Sequence, residues 1–149
     1  EEENQLNYED FAHHPSAISE ILDSKKEIFP DHEIVACFEP RSNTSKSQLF
    51  QLEFTKALSK ADVVLIGAIN KNSEATNDLY LDRLKMINEI QGLGCNRVAE
   101  YFEENQELYQ YLIQFLTESK NTDKPVVIVF FTNGSFDGTM KKLVNKLMS

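Results

Sequence analysis

Six consecutive apolar residues, VVIVFF at Val126–Phe131, limit the folds open to this chain more than any other stretch. The run is too short for a buried helix and is made of β-branched and aromatic residues. It also lacks the polar alternation of a strand with one wet face. It therefore predicts a strand covered on both sides, the habit of parallel sheets flanked by crossover helices. Two further runs read the same way, IVACF at Ile34–Phe38 and DVVLIGAI at Asp62–Ile69. A short strand is expected near Arg97–Ala99.

Between these runs the apolar spacing turns helical. Ile18, Ile21, Leu22, Ile28 and Phe29 share one face of a helix expected over 15–29, with Pro15 in its first turn and Pro30 at its stop. A helix is expected over Gln48–Ser59, with Phe50, Phe54, Ala57 and Leu58 on one side, and another over Asp78–Gln91. Residues 70–77 read as a polar loop. Glu103–Glu118 carries Leu108, Tyr111, Leu112, Phe115 and Leu116 at i, i+3, i+4, i+7 and i+8, a strong amphipathic signal. The aromatic residues of this stretch read as core, not as a base-stacking platform. A last helix places Met140, Leu143, Val144, Leu147 and Met148 in the same period. Strands alternating with helices imply an α/β fold of Rossmann-like type, with a mainly parallel sheet and helices on both faces. No repeat or second domain is evident, so residues 1–149 are expected to form a single domain.

Charge and cysteine usage narrow the function. A formal net charge of −9 argues against a nucleic-acid partner, which needs a Lys/Arg surface. No apolar run is long enough to cross a bilayer. The chain opens with three glutamates, without a basic region or an apolar signal segment. Cys37 and Cys95 are the only cysteines, with no CxxC spacing, and read as two free thiols in a reducing cytoplasm. Spacing gives no support to a zinc site built from them with His13, His14 and His32.

In open parallel sheets, ligands bind beyond the carboxyl ends of the strands. Two polar loops leave strands there. One, EPRSNT, offers Glu39, Arg41, Ser42, Asn43 and Thr44; the other, TNGSFDG, offers Thr132, Asn133, Gly134, Ser135 and Gly138. Arginine can grip a carboxylate or phosphate with two parallel bonds, and glycines let backbone amides approach an anion closely. The opening EDFAHHP could reach the same edge. Each feature has a plainer reading: Asp10 as a helix cap, the histidines as surface residues, Arg41 as a partner of Glu39 and the glycines as turn residues. The chain contains no GxxxxGK[ST] phosphate loop, G-x-S-x-G elbow or evident nucleophile–base pair. By its residues it is a module that completes a ligand site.

Three motifs together resemble the third domain of the Mur ligases. YEDFAHHPSAI is similar to the D-[YF]-[AG]-H-x-P signature that opens that domain. FEPRSNTSK resembles the EPRSNT loop of the murein tripeptide ligase branch. FFTNGSFDGTMKKL resembles that branch's SNGGFGG…KL ending, with Ser135 and Asp137 where the pattern has glycines. The resemblance runs from about Asn7 to the C-terminus and is weak over residues 60–125. It implies the last part of a three-domain, ATP-dependent amide ligase. In such an enzyme the first domain binds a UDP sugar and the central one carries the ATP phosphate loop with Mg²⁺. The lactyl carboxylate of UDP-N-acetylmuramate is phosphorylated, and the amine of a recycled murein tripeptide attacks the acyl phosphate. The branch that adds L-alanine is the alternative within the family; its usual QPHR-type loop is absent. A stand-alone binding module is the alternative outside it. By resemblance Asp10 and His13 face the nucleotide, His14 is structural, and Arg41 and Asn43 hold anionic substrate groups. Asn133 and Gly134 would meet the incoming amino-acid part. No catalytic or metal-binding residue is expected in this chain alone, which is expected to be inactive by itself.

Overall fold

The computed structural model describes residues 5–9, 14–40, 50–69, 81–93, 98–119, 124–132 and 138–148. Ten elements follow in order: β1 Gln5–Glu9, α1 Pro15–Ile28, β2 Glu33–Phe38, α2 Gln51–Leu58, β3 Val63–Ile66, α3 Arg83–Gly92, β4 Val98–Tyr101, α4 Asn105–Ser119, β5 Val126–Phe131 and α5 Thr139–Met148. The strands form one five-stranded sheet in the order β1-β5-β2-β3-β4. Every neighbouring pair is parallel.

The alternating side chains of the strands feed two cores. On one face Ile34, Ala36, Phe38, Val64, Ile66, Val127, Val129 and Phe131 meet Ile18 and Leu22 of α1, Phe54 and Leu58 of α2, and Met86 and Ile90 of α3. On the other, Val35, Cys37, Val63, Leu65, Val126, Ile128 and Phe130 meet Leu108, Leu112, Phe115 and Leu116 of α4 and Leu143 of α5. The division follows from handedness. The connections β1→β2, β2→β3 and β3→β4 all advance in one direction across the sheet, so right-handed crossovers place α1, α2 and α3 on one face. The connection β4→β5 runs back past β3 and β2, and the same handedness places α4 on the opposite face.

Most expected elements are present, and four differ in instructive ways. β1 was not expected. QLNYE has no apolar run, and its pairing with β5, from Gln5 opposite Val127 to Glu9 opposite Phe131, makes it an edge strand. The Asp62–Ile69 run is a strand only over Val63–Ile66, because the Ala68 amide is taken by the Asn105 side chain, 2.9 Å away, and not by a neighbouring strand. α3 starts at Arg83 and not at Asp78. Asp82 is its N-cap and accepts from the Lys85 amide at 3.1 Å. α2 starts at Gln51, with Phe50 as its N-cap. Pro15 opens α1 as expected, and His14 at the N-cap makes no side-chain capping bond.

Candidate functional site at the carboxyl edge of the sheet

β2 and β5 are neighbours whose chains leave in opposite directions, β2 toward α2 on one face and β5 toward α5 on the other. Such a divergence opens a crevice at the carboxyl edge of a parallel sheet. The EPRSNT loop leaves β2 there and the TNGSFDG loop leaves β5.

A buried polar cluster lies at this crevice. Glu39, the residue after β2, is 3% exposed, Thr132, the residue after β5, is 0% exposed, and Asn105, the first residue of α4, is 2% exposed. The Glu39 amide donates to Phe131 O at 3.0 Å, continuing the β2–β5 ladder one step beyond the strands. Thr132 Oγ1 donates to Glu39 Oε1, and Asn105 Nδ2 donates to Glu39 Oε2 at 3.1 Å. The other end of the Asn105 amide, Oδ1, accepts from Ala68 N at 2.9 Å. One set of side chains thus joins the exits of β2, β3 and β5 to the start of α4.

Arg83 does similar work further along the same edge. Its guanidinium is 9% exposed and stacks on the Tyr101 ring, 4.8 Å from the centroid. Nη1 donates to Gly67 O at 3.0 Å and Phe102 O at 2.7 Å, and Nη2 to the exposed Glu103 carboxylate at 3.2 Å. The carbonyls belong to the residues that follow β3 and β4, so Arg83 fixes those two exits. A cleft lined by Gln51, Leu52, Asp82, Lys85 and Glu89 opens between the first turns of α2 and α3. There Gln51 Oε1 accepts from the Asp82 amide at 2.8 Å.

The six residues singled out for binding, Asp10, His13, Arg41, Asn43, Asn133 and Gly134, lie outside the described residues. Asp10 follows β1 directly, Arg41 follows Glu39 by two positions, and Asn133 follows Thr132. β1, β5 and β2 are consecutive in the sheet and parallel, so all three segments start from one edge. Sequence reasoning named Glu39 and Thr132 only as loop polars, and Asn105 not at all. Their signal was weak, since a single Asn at a helix start gives no hint that it is buried against a carboxylate 66 positions away.

Two negative findings bound the chemistry of the described residues. Among them no group of three His, Cys, Asp or Glu could hold a metal ion. No described helix is long and apolar enough to cross a membrane. Cys37 sits inside the sheet, and burial pushes its thiol pKa far above the usual range, so it is no nucleophile in the folded chain.

No family model matches the chain. A curated relative, the UDP-N-acetylmuramate–L-alanine ligase of Desulfitobacterium hafniense (strain Y51), is 32% identical over 109 residues, which cover 73% of this chain and 24% of that protein. The chain thus spans about a quarter of the length of that relative. Solved structures share its fold. A murein peptide ligase of Psychrobacter arcticus 273-4 superposes with TM-score 0.66 at 24% identity over 99% of this chain and 28% of that one. The UDP-N-acetylmuramate–alanine ligase of Thermotoga maritima gives 0.64 at 21% identity, over 96% of this chain and 27% of that one. A domain attributed to a UDP-N-acetylmuramate:L-alanyl-γ-D-glutamyl-diaminopimelate ligase of Haemophilus ducreyi 35000HP gives 0.61 at 23% identity, over 97% of this chain and 93% of that one. The chain belongs with the Mur ligases, and its α/β fold is that of their C-terminal domain.

Proposed function

We propose that this chain is the closing domain of a longer, ATP-dependent ligase that joins a recycled murein tripeptide to UDP-N-acetylmuramate through an acyl phosphate. The observation that supports the reading is that the residues entering the two family-like motifs, Glu39 and Thr132, end adjacent parallel strands and are hydrogen-bonded to each other. A likeness to a murein peptide ligase structure over 99% of the chain supports it. In this reading Asp10 and His13 approach the nucleotide as the domain closes. Arg41 and Asn43 hold anionic groups of the substrate, and Asn133 and Gly134 meet the incoming peptide. ATP and Mg²⁺ are assigned mainly to the central domain, because this chain has no phosphate loop. The domain's part is to bind, orient and exclude water, which supplies much of the rate in transfers of this kind.

A second reading has its own support. The curated relative at 32% identity adds L-alanine. One experiment separates the two. The full-length protein is incubated with ATP, Mg²⁺ and UDP-N-acetylmuramate plus either tripeptide or L-alanine, and products are followed by mass spectrometry. Amide formed with the tripeptide alone supports the first reading, with L-alanine alone the second, and with neither overturns both. The 149-residue chain alone is expected to form no product. In the full-length protein Arg41→Lys is expected to lose activity with unchanged melting, since an ammonium cannot replace the planar two-pronged guanidinium. Asp10→Ala and His13→Ala are expected to cost roughly tenfold to a hundredfold each, with His14→Ala mild. Wild-type kinetics in all of these would return the motifs to helix entry and surface.

A further inference from the structure

On one side the sheet ends at β4. The Phe102 amide donates to Ile66 O at 2.9 Å, and Tyr101 stands opposite Ile66 in the register. Backbone groups alternate in direction along a strand. Val98, Glu100 and Phe102 therefore turn theirs toward β3, and Ala99 and Tyr101 turn theirs outward. Of these outward groups, the Ala99 carbonyl accepts from Gln91 Nε2 of α3 at 3.3 Å. The Ala99 amide and both backbone groups of Tyr101 meet no partner among the described residues. Gln91 is exposed, so water can satisfy its side-chain amide, yet the side chain lies across the edge at a cost in rotamer freedom. Leu84, seven positions earlier and so on nearly the same side of α3, is 56% exposed. An open edge beside an exposed apolar side chain invites an added strand.

We propose that Gln91 guards the β4 edge against pairing with a second copy of this chain. A second copy fits because two identical edges can meet antiparallel about a two-fold axis. Centred on Glu100, such a pair lets Ala99 of one strand exchange both its bonds with Tyr101 of the other, using the outward groups that β3 leaves free. The Gln91 amide stands where the incoming donor to the Ala99 carbonyl would be, in a strand of only four residues. The exposed Glu100 works in the same sense, because this pairing sets it directly opposite its own copy and like charges there are destabilising. Short length, a charge and a covered carbonyl together keep the edge single. The guard is independent of the reaction proposed above.

Sedimentation of the 149-residue chain tests this, a domain of the same fold having been solved on its own. Association constants are compared for the wild type, Gln91→Ala, and Gln91→Ala with Glu100→Thr, at concentrations reaching the millimolar range. Gln91→Ala is expected to raise the constant by about two- to tenfold, the worth of one neutral hydrogen bond that no longer has to be broken. Glu100→Thr is expected to raise it further. Adding Ala99→Pro to the double variant is expected to return it to the wild-type value, since proline removes an outward amide that the pair needs and β3 does not use. Melting curves check that each variant is folded. Amide exchange gives a second readout that does not depend on the proline variant: protection of the Ala99 and Tyr101 amides in the double variant should rise with concentration. Sedimentation identical to wild type in both guard variants overturns the proposal. So does association that survives Ala99→Pro in a folded chain, or that leaves the Ala99 and Tyr101 amides unprotected, because the contact then lies elsewhere. A wild type already paired through these two amides overturns it as well.

Discussion

The two ends of the sheet are built differently. At the amino edge the strand starts are closed largely by backbone. Glu33 N donates to Pro125 O at 2.8 Å, and Asp62 N donates to Ile34 O at 2.9 Å, while Ile34 N returns a bond to Asp62 Oδ2 at 2.8 Å. Asp62 is half-buried, so its carboxylate keeps part of its hydration. At the carboxyl edge a carboxylate and a guanidinium are buried, each among several partners. Burying charge is costly unless every lone pair and proton finds a partner. A fold that needed only stability could close both ends as it closes the first. The difference teaches that the described residues bury charged groups at the carboxyl edge, the end where parallel sheets bind ligands.

Four substitutions break or sharpen that contrast, from the largest effect to the smallest. Arg83→Ala removes the buried guanidinium and leaves the Gly67 and Phe102 carbonyls without their donor. It is expected to cost about 2–4 kcal/mol in urea unfolding, and Arg83→Lys is expected to recover only part, having no second prong for Glu103 and no planar face to stack on Tyr101. Asp62→Ala at the amino edge is expected to cost about 1–2 kcal/mol, with Asp62→Asn recovering most of it because an acceptor oxygen remains. In the full-length ligase proposed above, Asp62→Ala should leave kcat unchanged; a kinetic defect there would erase the distinction between the edges.

Cys37 lies between the edges, within β2, and tests the sheet interior through pH. Burial raises its thiol pKa in the folded state, so the folded chain holds the proton that the unfolded chain releases. The contribution to stability is complete below the unfolded pKa of about 8.5 and is lost as pH rises above it. Unfolding above that pH should release one more proton than in Cys37→Ala, and in a Cys95→Ser background the thiol should react with a disulfide reagent only as fast as the chain opens. Prompt labelling would mean that the interior admits solvent. The smallest effect belongs to the surface. Lys60 Nζ lies 2.7 Å from Asp23 Oδ2, with the two side chains 37% and 61% exposed. Lys60→Ala is therefore expected to change stability by about 0–1 kcal/mol and less at high salt, as read by thermal melting at two ionic strengths.

The sequence by itself determined the layered sheet. Val126–Phe131 could only be a strand covered on both faces, and it is buried at all six positions. Leu108, Leu112, Phe115 and Leu116 could only be one helical face, and all four lie in the second core. Apolar periodicity carries this information locally, because each element's pattern must match its own burial. Pro15 likewise marked the entry of α1. Strand β1 was illegible because QLNYE has no pattern of its own and becomes a strand by pairing with β5. The Glu39–Thr132–Asn105 cluster was illegible for a related reason. Its members lie 93 and 66 positions apart, and nothing near any of them announces burial. Only the tertiary structure decided that β2 and β5 are neighbours and that α4, returning across the opposite face, brings Asn105 to their ends. Polar contacts between distant residues are set by how the elements assemble, whereas the elements themselves are set by the spacing of their apolar residues.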